Sequence, residues 1–291
     1  MSQNITRIKK RINTISSTRK ITNSMKLVSG VKVRKLTKEY NSNKEFFNEL
    51  NLIFNDALYL DNFKNKEDLI DTIYFSSPKE AEVNLYIIVM SNMGLCGSYN
   101  SSLYKFFESI YKEHDEVVII GNKARSYFKK DLKIYDDFVN LTHSLNVENI
   151  GILANFVLNK FNEKKYKTIN CVFAKYINSL VFKPQSLTLF PLNLKENKPY
   201  NGYGPIFEAN KDEFINAFIP MYLKNKLLNI FYESSLCEET SRRNSMDNAN
   251  KNIDDLMYDL NIEYNKARQT EITNQISEIV SGAESIKNSW D

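Results

Sequence analysis

Between residues 241 and 283 the chain has no proline and only one glycine, Gly282. Met246, Ala249, Ile253, Leu256 and Leu260 recur at alternating steps of three and four, the stripe of a helix packed along one seam. A second stripe, Ile272, Ile276, Ile279, Ala283 and Ile286, follows a polar interruption around residues 264–270. Read as one helix, residues 216–286 span on the order of 100 Å at about 1.5 Å per residue. No small globular core buries that length. The helix must lie against another long helix, or inside a partner.

The other end of the chain supplies such a helix. From Asn4 to about Leu60 there is no proline, and only Gly30 interrupts. Ile5, Ile8, Ile12 and Ile15, then Ile21, Met25 and Val28, make its apolar stripe. Residues 1–40 hold eleven bases against Glu39 alone, whereas residues 211–291 hold 14 acids and 9 bases. Two long helices of opposite net charge predict an antiparallel coiled coil that brings the termini together. A seam with one polar face outward is the plainer reading, and it accounts for most of the periodicity.

The middle of the chain changes period. Val83–Met90 reads as a strand of buried type and Glu116–Gly121, Thr168–Ile177 and Val181–Leu189 as further strands, while Ser98–Lys112, Lys123–Lys130 and Val147–Phe161 read as helices. That alternation predicts a Rossmann-like α/β domain with a largely parallel sheet. The expected organisation is a first shaft helix over 1–60, a connector over 61–82, an α/β domain over 83–205 and a second shaft helix over 206–291.

Several function classes are disfavoured. No run approaches 18 consecutive apolar residues, so no transmembrane helix is expected. The first thirty residues are charged throughout and lack the apolar core of a signal peptide. Cys96, Cys171 and Cys237 are few and widely spaced, which fits free thiols in a reducing compartment. The loop from Ser91 to Asn100, SNMGLCGSYN, follows a strand and opens a helix as a phosphate loop would. It lacks the P-loop lysine, and its glycine spacing is not that of a dinucleotide fingerprint. His114 and His143 have nothing tying them to Cys96, and neither residue type is spaced to hold a metal. Asp254, Asp255 and Asp259 read as a solvated helix face. No catalytic site, metal or cofactor is expected.

The basic first forty residues would suit nucleic acid, an anionic membrane or acidic protein loops. No aromatic residue precedes Tyr40 to stack on bases, and no nucleic-acid recognition motif accompanies the charge. Composition alone leaves these partners open.

Longer stretches carry a resemblance. Ile8-Lys9-Lys10-Arg11-Ile12, Thr18 through Val28, Met246-Asp247-Asn248-Ala249, Glu263 through Gln269 and Glu278 through Ala283 resemble the gamma subunit of rotary F-type ATP synthases. The Gly-Leu-Cys-Gly loop, the Leu189–Leu192 tract and Gly121-Asn-Lys123 fit the same family. The resemblance implies a noncatalytic rotor shaft standing inside a ring of three alpha and three beta subunits. It implies a foot domain that meets an epsilon-type subunit and a c-ring, or a substitute membrane partner. It also implies no nucleic-acid partner, no insertion into the bilayer, and a peripheral location on the cytoplasmic side of the cell membrane. By position, Met25, Lys26, Arg34, Lys35, Arg242, Arg243, Gln269, Thr273 and Glu278 are the residues expected to face the ring, and Tyr200 and Tyr203 those expected to make foot contacts. Single changes such as Arg242→Ala are expected to alter coupling more than folding. Gly204 stands where the family has an acid and Ala124 where it has a glycine, which leaves room for a paralogue driving a different load. A coiled-coil adaptor is the alternative outside this family.

Overall fold

The computed structural model describes residues 2–59, 74–78, 80–128, 133–143, 147–192 and 211–287. The chain divides into two compact units, one of residues 29–242 and one of residues 1–28 with 243–291. Two helices pass through both: α1, Ser2–Tyr59, and α4, Lys211–Lys287, of 58 and 77 residues. Pro220 lies inside α4. A proline there removes one backbone bond and costs about 3 kcal/mol. Burial of Ile215, Phe218, Ile219, Tyr222 and Leu223 around it offsets that loss.

The 29–242 unit is built on a five-stranded sheet in the order β3-β2-β1-β4-β5. The strands are β1 Val83–Val89, β2 Glu116–Ile120, β3 Ile134–Tyr135, β4 Tyr166–Tyr176 and β5 Phe182–Phe190. All neighbouring pairs are parallel except β4–β5. Helices α2, Tyr99–Ile110, and α3, Val147–Asn162, fall where the sequence placed them. Among the described residues of the helix expected over Lys123–Lys130 there is a 3-10 turn at Ala124–Ser126, and residues 129–130 lie outside the described residues. Its first residue, Ala124, is buried and donates its N–H to the Gly121 carbonyl in a short turn. The methyl of Ala124 fills part of a core, so alanine is accommodated at this position. β3 was not foreseen, because two residues show no periodicity.

Strand side chains alternate between two cores, as a period of two requires. Leu85, Ile87, Val118, Ile120 and Cys171 face α3 and the first third of α4. Tyr86, Ile88, Val117, Ile119 and Val172 face α2, through Tyr99, Leu103 and Phe107. With both faces covered, β1 and β2 read as near-continuous apolar runs, whereas the edge strand β5 is buried only at Leu189 and Phe190. At the start of β2, buried Glu116 accepts bonds from Lys133 Nζ, Lys165 Nζ, Tyr135 Oη and Tyr166 Oη. Burial pushes its carboxyl upward, but the four donors outweigh burial and bring it down to about 2.

In the other unit α1 and α4 run antiparallel. Lys26 Nζ meets Asp247 at 2.5 Å, Thr22 Oγ1 donates to Asn250 at 2.5 Å, and Arg19 meets Asp254 at 2.8 Å. The α4 side of the seam is Met246, Ala249, Ile253, Met257, Leu260, Tyr264 and Ala267, buried or half-buried at steps of three and four. Two sequence expectations change here. Leu256 is exposed and Met257 takes its place. The residues around Tyr264, read as an interruption, continue the seam, so the stripe of Ile272, Ile276 and Ile279 falls on another face and is 43%, 56% and 72% exposed. On α1, Ile8 is buried and Ile5, Ile12, Ile15 and Met25 half-buried, while Ile21 and Val28 are exposed.

Two outcomes follow for the 29–242 unit. Gly121 has φ +93°, and a Cβ there would sit 2.2 Å from the Met90 carbonyl oxygen. Gly121→Ala should destabilise the chain by about 3 kcal/mol, read as a lowered urea midpoint; an unchanged midpoint would contradict the geometry. Glu116 has a depressed folded pKa, so its stabilisation is present above about pH 4.5 and is lost as the pH falls toward 2. Wild type and Glu116→Gln should therefore differ in thermal midpoint at pH 7 and converge near pH 2. A constant gap across that range would show that Glu116 is not the titrating group.

Candidate functional site

Strand β1 ends in the loop from Ser91 to Ser98, which leads into α2. Leu95 and Gly97 both have positive φ, +64° and +56°, and this curl turns Cys96 inward while Met93 and Leu95 stay exposed. Asn100 holds the loop from beneath. Its Oδ1 accepts the Ser91 N–H at 3.0 Å and its Nδ2 donates to Ser91 Oγ at 2.7 Å. In a doubly wound sheet this crevice at the carboxyl ends of the strands is where ligands bind. Here α4 fills it. Ser241 Oγ donates to the Cys96 carbonyl at 2.7 Å, Tyr99 Oη meets Ser234 Oγ at 2.7 Å, and Arg242 donates to the carbonyls of Met93 and Gly94 at 3.0 and 3.3 Å.

The polarity of the loop is the reverse of a phosphate site. A phosphate loop converges backbone N–H groups on an anion; this one converges carbonyl oxygens on a guanidinium. Cys96 is no nucleophile, because burial raises its thiol pKa. Cys171, pushed up to about 12 by burial, and Cys237, also pushed up, are likewise buried. Among the described residues no group of His, Cys, Asp and Glu could hold a metal, and no helix is long and apolar enough to cross a membrane.

Arg242 is the centre of a buried charge cluster. It reaches Glu238 at 2.6 Å and Glu239 at 2.9 Å, and Lys32 of α1 reaches Glu239 at 2.9 Å. Burial raises the Glu238 carboxyl against the pull of Arg242. Burial also works against Glu239, but Arg242, Lys32 and Ser29 outweigh it and hold that carboxyl below its usual range. Glu238 and Glu239 drew no notice in the sequence, Lys32 counted only as one of eleven bases, and Ser91 and Asn100 only as the ends of a loop; the one signal for the cluster was acids three and four residues before an arginine on one helix.

The remaining positions expected to face the ring divide in two. Lys26 is half-buried in its pair with Asp247, beside half-buried Met25. Arg34, Lys35, Arg243, Gln269, Thr273 and Glu278 are exposed. Lys35 lies 3.7 Å from Glu39, and Thr273 Oγ1 donates to the Gln269 carbonyl one turn back. Arg242 stands apart from them, only 4% exposed and committed within the chain. Tyr200, Tyr203, Gly204 and most of the connector lie outside the described residues.

A further surface emerges from the seam. The pairs Lys26–Asp247 and Arg19–Asp254 set a register that puts Ser2 opposite about residue 271. Toward that end of α4, Ile272, Ile276, Ile279 and Val280 lie off the seam and are exposed. An exposed apolar stripe of this kind marks an interaction surface.

A paired-helix seam, an α/β sheet whose ligand crevice is filled by its own helix, and an exposed apolar stripe on α4 are the features of a scaffold subunit. A family model described as ATP synthase matches residues 4–286. The chain is 35% identical over 290 residues to the ATP synthase gamma chain of Clostridium botulinum, covering 98% of this chain and 99% of that one. It is 32% identical over 285 residues to the gamma chain of Mesoplasma florum, covering 97% and 99%. Its fold matches a chain in the Euglena gracilis mitochondrial ATP synthase structure of OSCP, F1 and c-ring with a TM-score of 0.70 at 18% identity, over 98% of this chain and 95% of that one. The chain belongs to the ATP synthase gamma family, whose members are noncatalytic subunits.

Arg242→Ala would leave two buried carboxylates without their guanidinium. The loss should be about 3–5 kcal/mol of stability, read by urea unfolding of the purified chain. This reverses the expectation that the change spares folding, because the side chain is buried rather than presented to a partner. An Ala variant as stable as wild type would return Arg242 to the exposed set.

Proposed function

We propose that this chain is the central rotor shaft of a rotary ATPase. It stands in a ring of three alpha and three beta subunits and couples ATP synthesis or hydrolysis there to rotation against an epsilon-type subunit and a c-ring, at the cytoplasmic side of the cell membrane. The observation that carries the reading is the exposed stripe Ile272, Ile276, Ile279 and Val280 at the end of α4. A helix end with a bare apolar face is poorly placed in water but well placed in an apolar sleeve. Arg34, Lys35, Arg243, Gln269, Thr273 and Glu278 are exposed and offer mixed polar groups to a ring. Contacts between such exposed groups are individually weak, about 0–1 kcal/mol, and screened by salt. Weak, graded contacts suit a shaft that must leave each of its stops, whereas one strong contact would hold it.

Ile276→Asp combined with Ile279→Asp tests this. Neither side chain is packed in the isolated chain, so its thermal midpoint should stay within about 2 °C of wild type. Recovery of alpha- and beta-type subunits with the tagged chain should fall by about tenfold or more. Undiminished recovery would show that this end of α4 is not gripped by the ring.

A further inference from the structure

The sheet has a second charged centre, at the end opposite the crevice that α4 fills. Glu116 is the first residue of β2, and Lys133 and Lys165 immediately precede β3 and β4. Both lysines donate to the same oxygen, Glu116 Oε1, Lys133 from 3.0 Å. The other oxygen accepts the hydroxyls of Tyr135 and Tyr166 at 2.9 and 2.6 Å. Two ammonium groups that reach one oxygen stand at most about 6 Å apart.

Aromatic rings hold this arrangement in place. Tyr135 meets Phe156 of α3 edge-on, with ring centroids 5.7 Å apart. Lys133 and Lys160 lie over the Tyr135 ring at 5.8 and 5.6 Å, and Lys165 lies over Tyr166 at 5.1 Å. Glu116 and Tyr166 are buried, whereas Lys133 and Lys165 are exposed. The carboxylate is thus the floor of the cluster and the two ammonium groups are its mouth.

The charge at that mouth does not balance. One carboxylate cannot neutralise two ammonium groups, and like charges this close repel. Glu116 nevertheless holds the Lys133 ammonium above its ordinary range, so Lys133 stays charged. Lys160 is matched by Glu163 at 2.9 Å, but Lys164 and Lys167, both exposed, flank Lys165 in the chain. Each ammonium carries three donors, and Glu116 takes one from each. Paired ammonium groups with donors to spare suit a phosphoryl group, which brings three acceptor oxygens and more than one negative charge.

We propose that Lys133 and Lys165, held on Glu116, form a binding site for a phosphoryl group, carried by a soluble phosphate compound or by a phospholipid headgroup. The site does not rest on the rotor reading. It lies at the amino-terminal edge of the sheet, away from the crevice where doubly wound sheets usually take ligands.

Acetylation of the full chain, read lysine by lysine by mass spectrometry, tests the site. Saturating inorganic pyrophosphate should slow the reaction of Lys133 and Lys165 by about fivefold or more. Exposed Lys10, in the basic stretch of α1, and exposed Lys105 of α2 should slow by less than about twofold. Protection by pyrophosphate assigns a soluble ligand. Protection by vesicles of phosphatidate but not of phosphatidylcholine, with none from pyrophosphate, assigns a lipid headgroup. Lys133→Ala should abolish protection at Lys165 and Lys133→Arg should keep it, with the helical signal of the chain unchanged in both. Three results would overturn the site: no protection by either probe, equal protection of Lys10 and Lys105, or full protection of Lys165 in Lys133→Ala.

Discussion

The register between α1 and α4 is the constraint on which the exposed surfaces depend. Lys26 with Asp247, Thr22 with Asn250 and Arg19 with Asp254 fix which turn meets which. These partly exposed polar contacts contribute little stability each, but they decide direction and phase. The apolar seam beneath them is narrow, with few fully buried residues such as Ile8, Met246 and Leu260. Once that phase is set, Ile21, Val28, Ile262, Ile276 and Ile279 must lie outside the seam. The coil thus leaves apolar side chains open beside the seam it closes. Such a rod is suited to work inside another assembly, and the gamma-family relatives across nearly its whole length are consistent with that.

The α/β unit shows how a fold can be kept while its usual use is given up. Its sheet has the parallel order and the loop after β1 that elsewhere receive nucleotides. In this chain α4 takes that crevice, and the loop's carbonyls grip Arg242. Fold therefore said little about function, which came from the chemistry of the site. The same buried cluster ties Lys32 on α1 to Glu239 on α4, so a single group of charges joins helix, helix and loop within the 29–242 unit. Buried clusters of this sort are costly to break at one member and hold one arrangement firmly, a property a twisting shaft requires.

Much of the fold was legible in the sequence because its periods are long and clean. The proline-free ends, the four apolar strands and two of the three shorter helices all follow from spacing. Spacing did not resolve the phase of the stripe. Leu256 and Met257 are both apolar and adjacent, and only the position of α1 selects Met257. Nor did spacing separate Arg242 from Arg243. The two neighbours look alike in a list of helix positions, yet about 100° of helical rotation buries one and exposes the other. Spacing bracketed the β4–β5 turn between Ile177 and Val181 but did not show what holds it, because the turn is made by the Asn178 side chain, without the glycine or proline that marks most turns.

The most direct measurement is rotation itself. With the ring of alpha- and beta-type subunits fixed to a surface and a bead attached to the α/β unit of this chain, added ATP should turn the bead one way, with three evenly spaced dwells. A bead that stays still while the same complexes hydrolyse ATP would contradict the rotor reading.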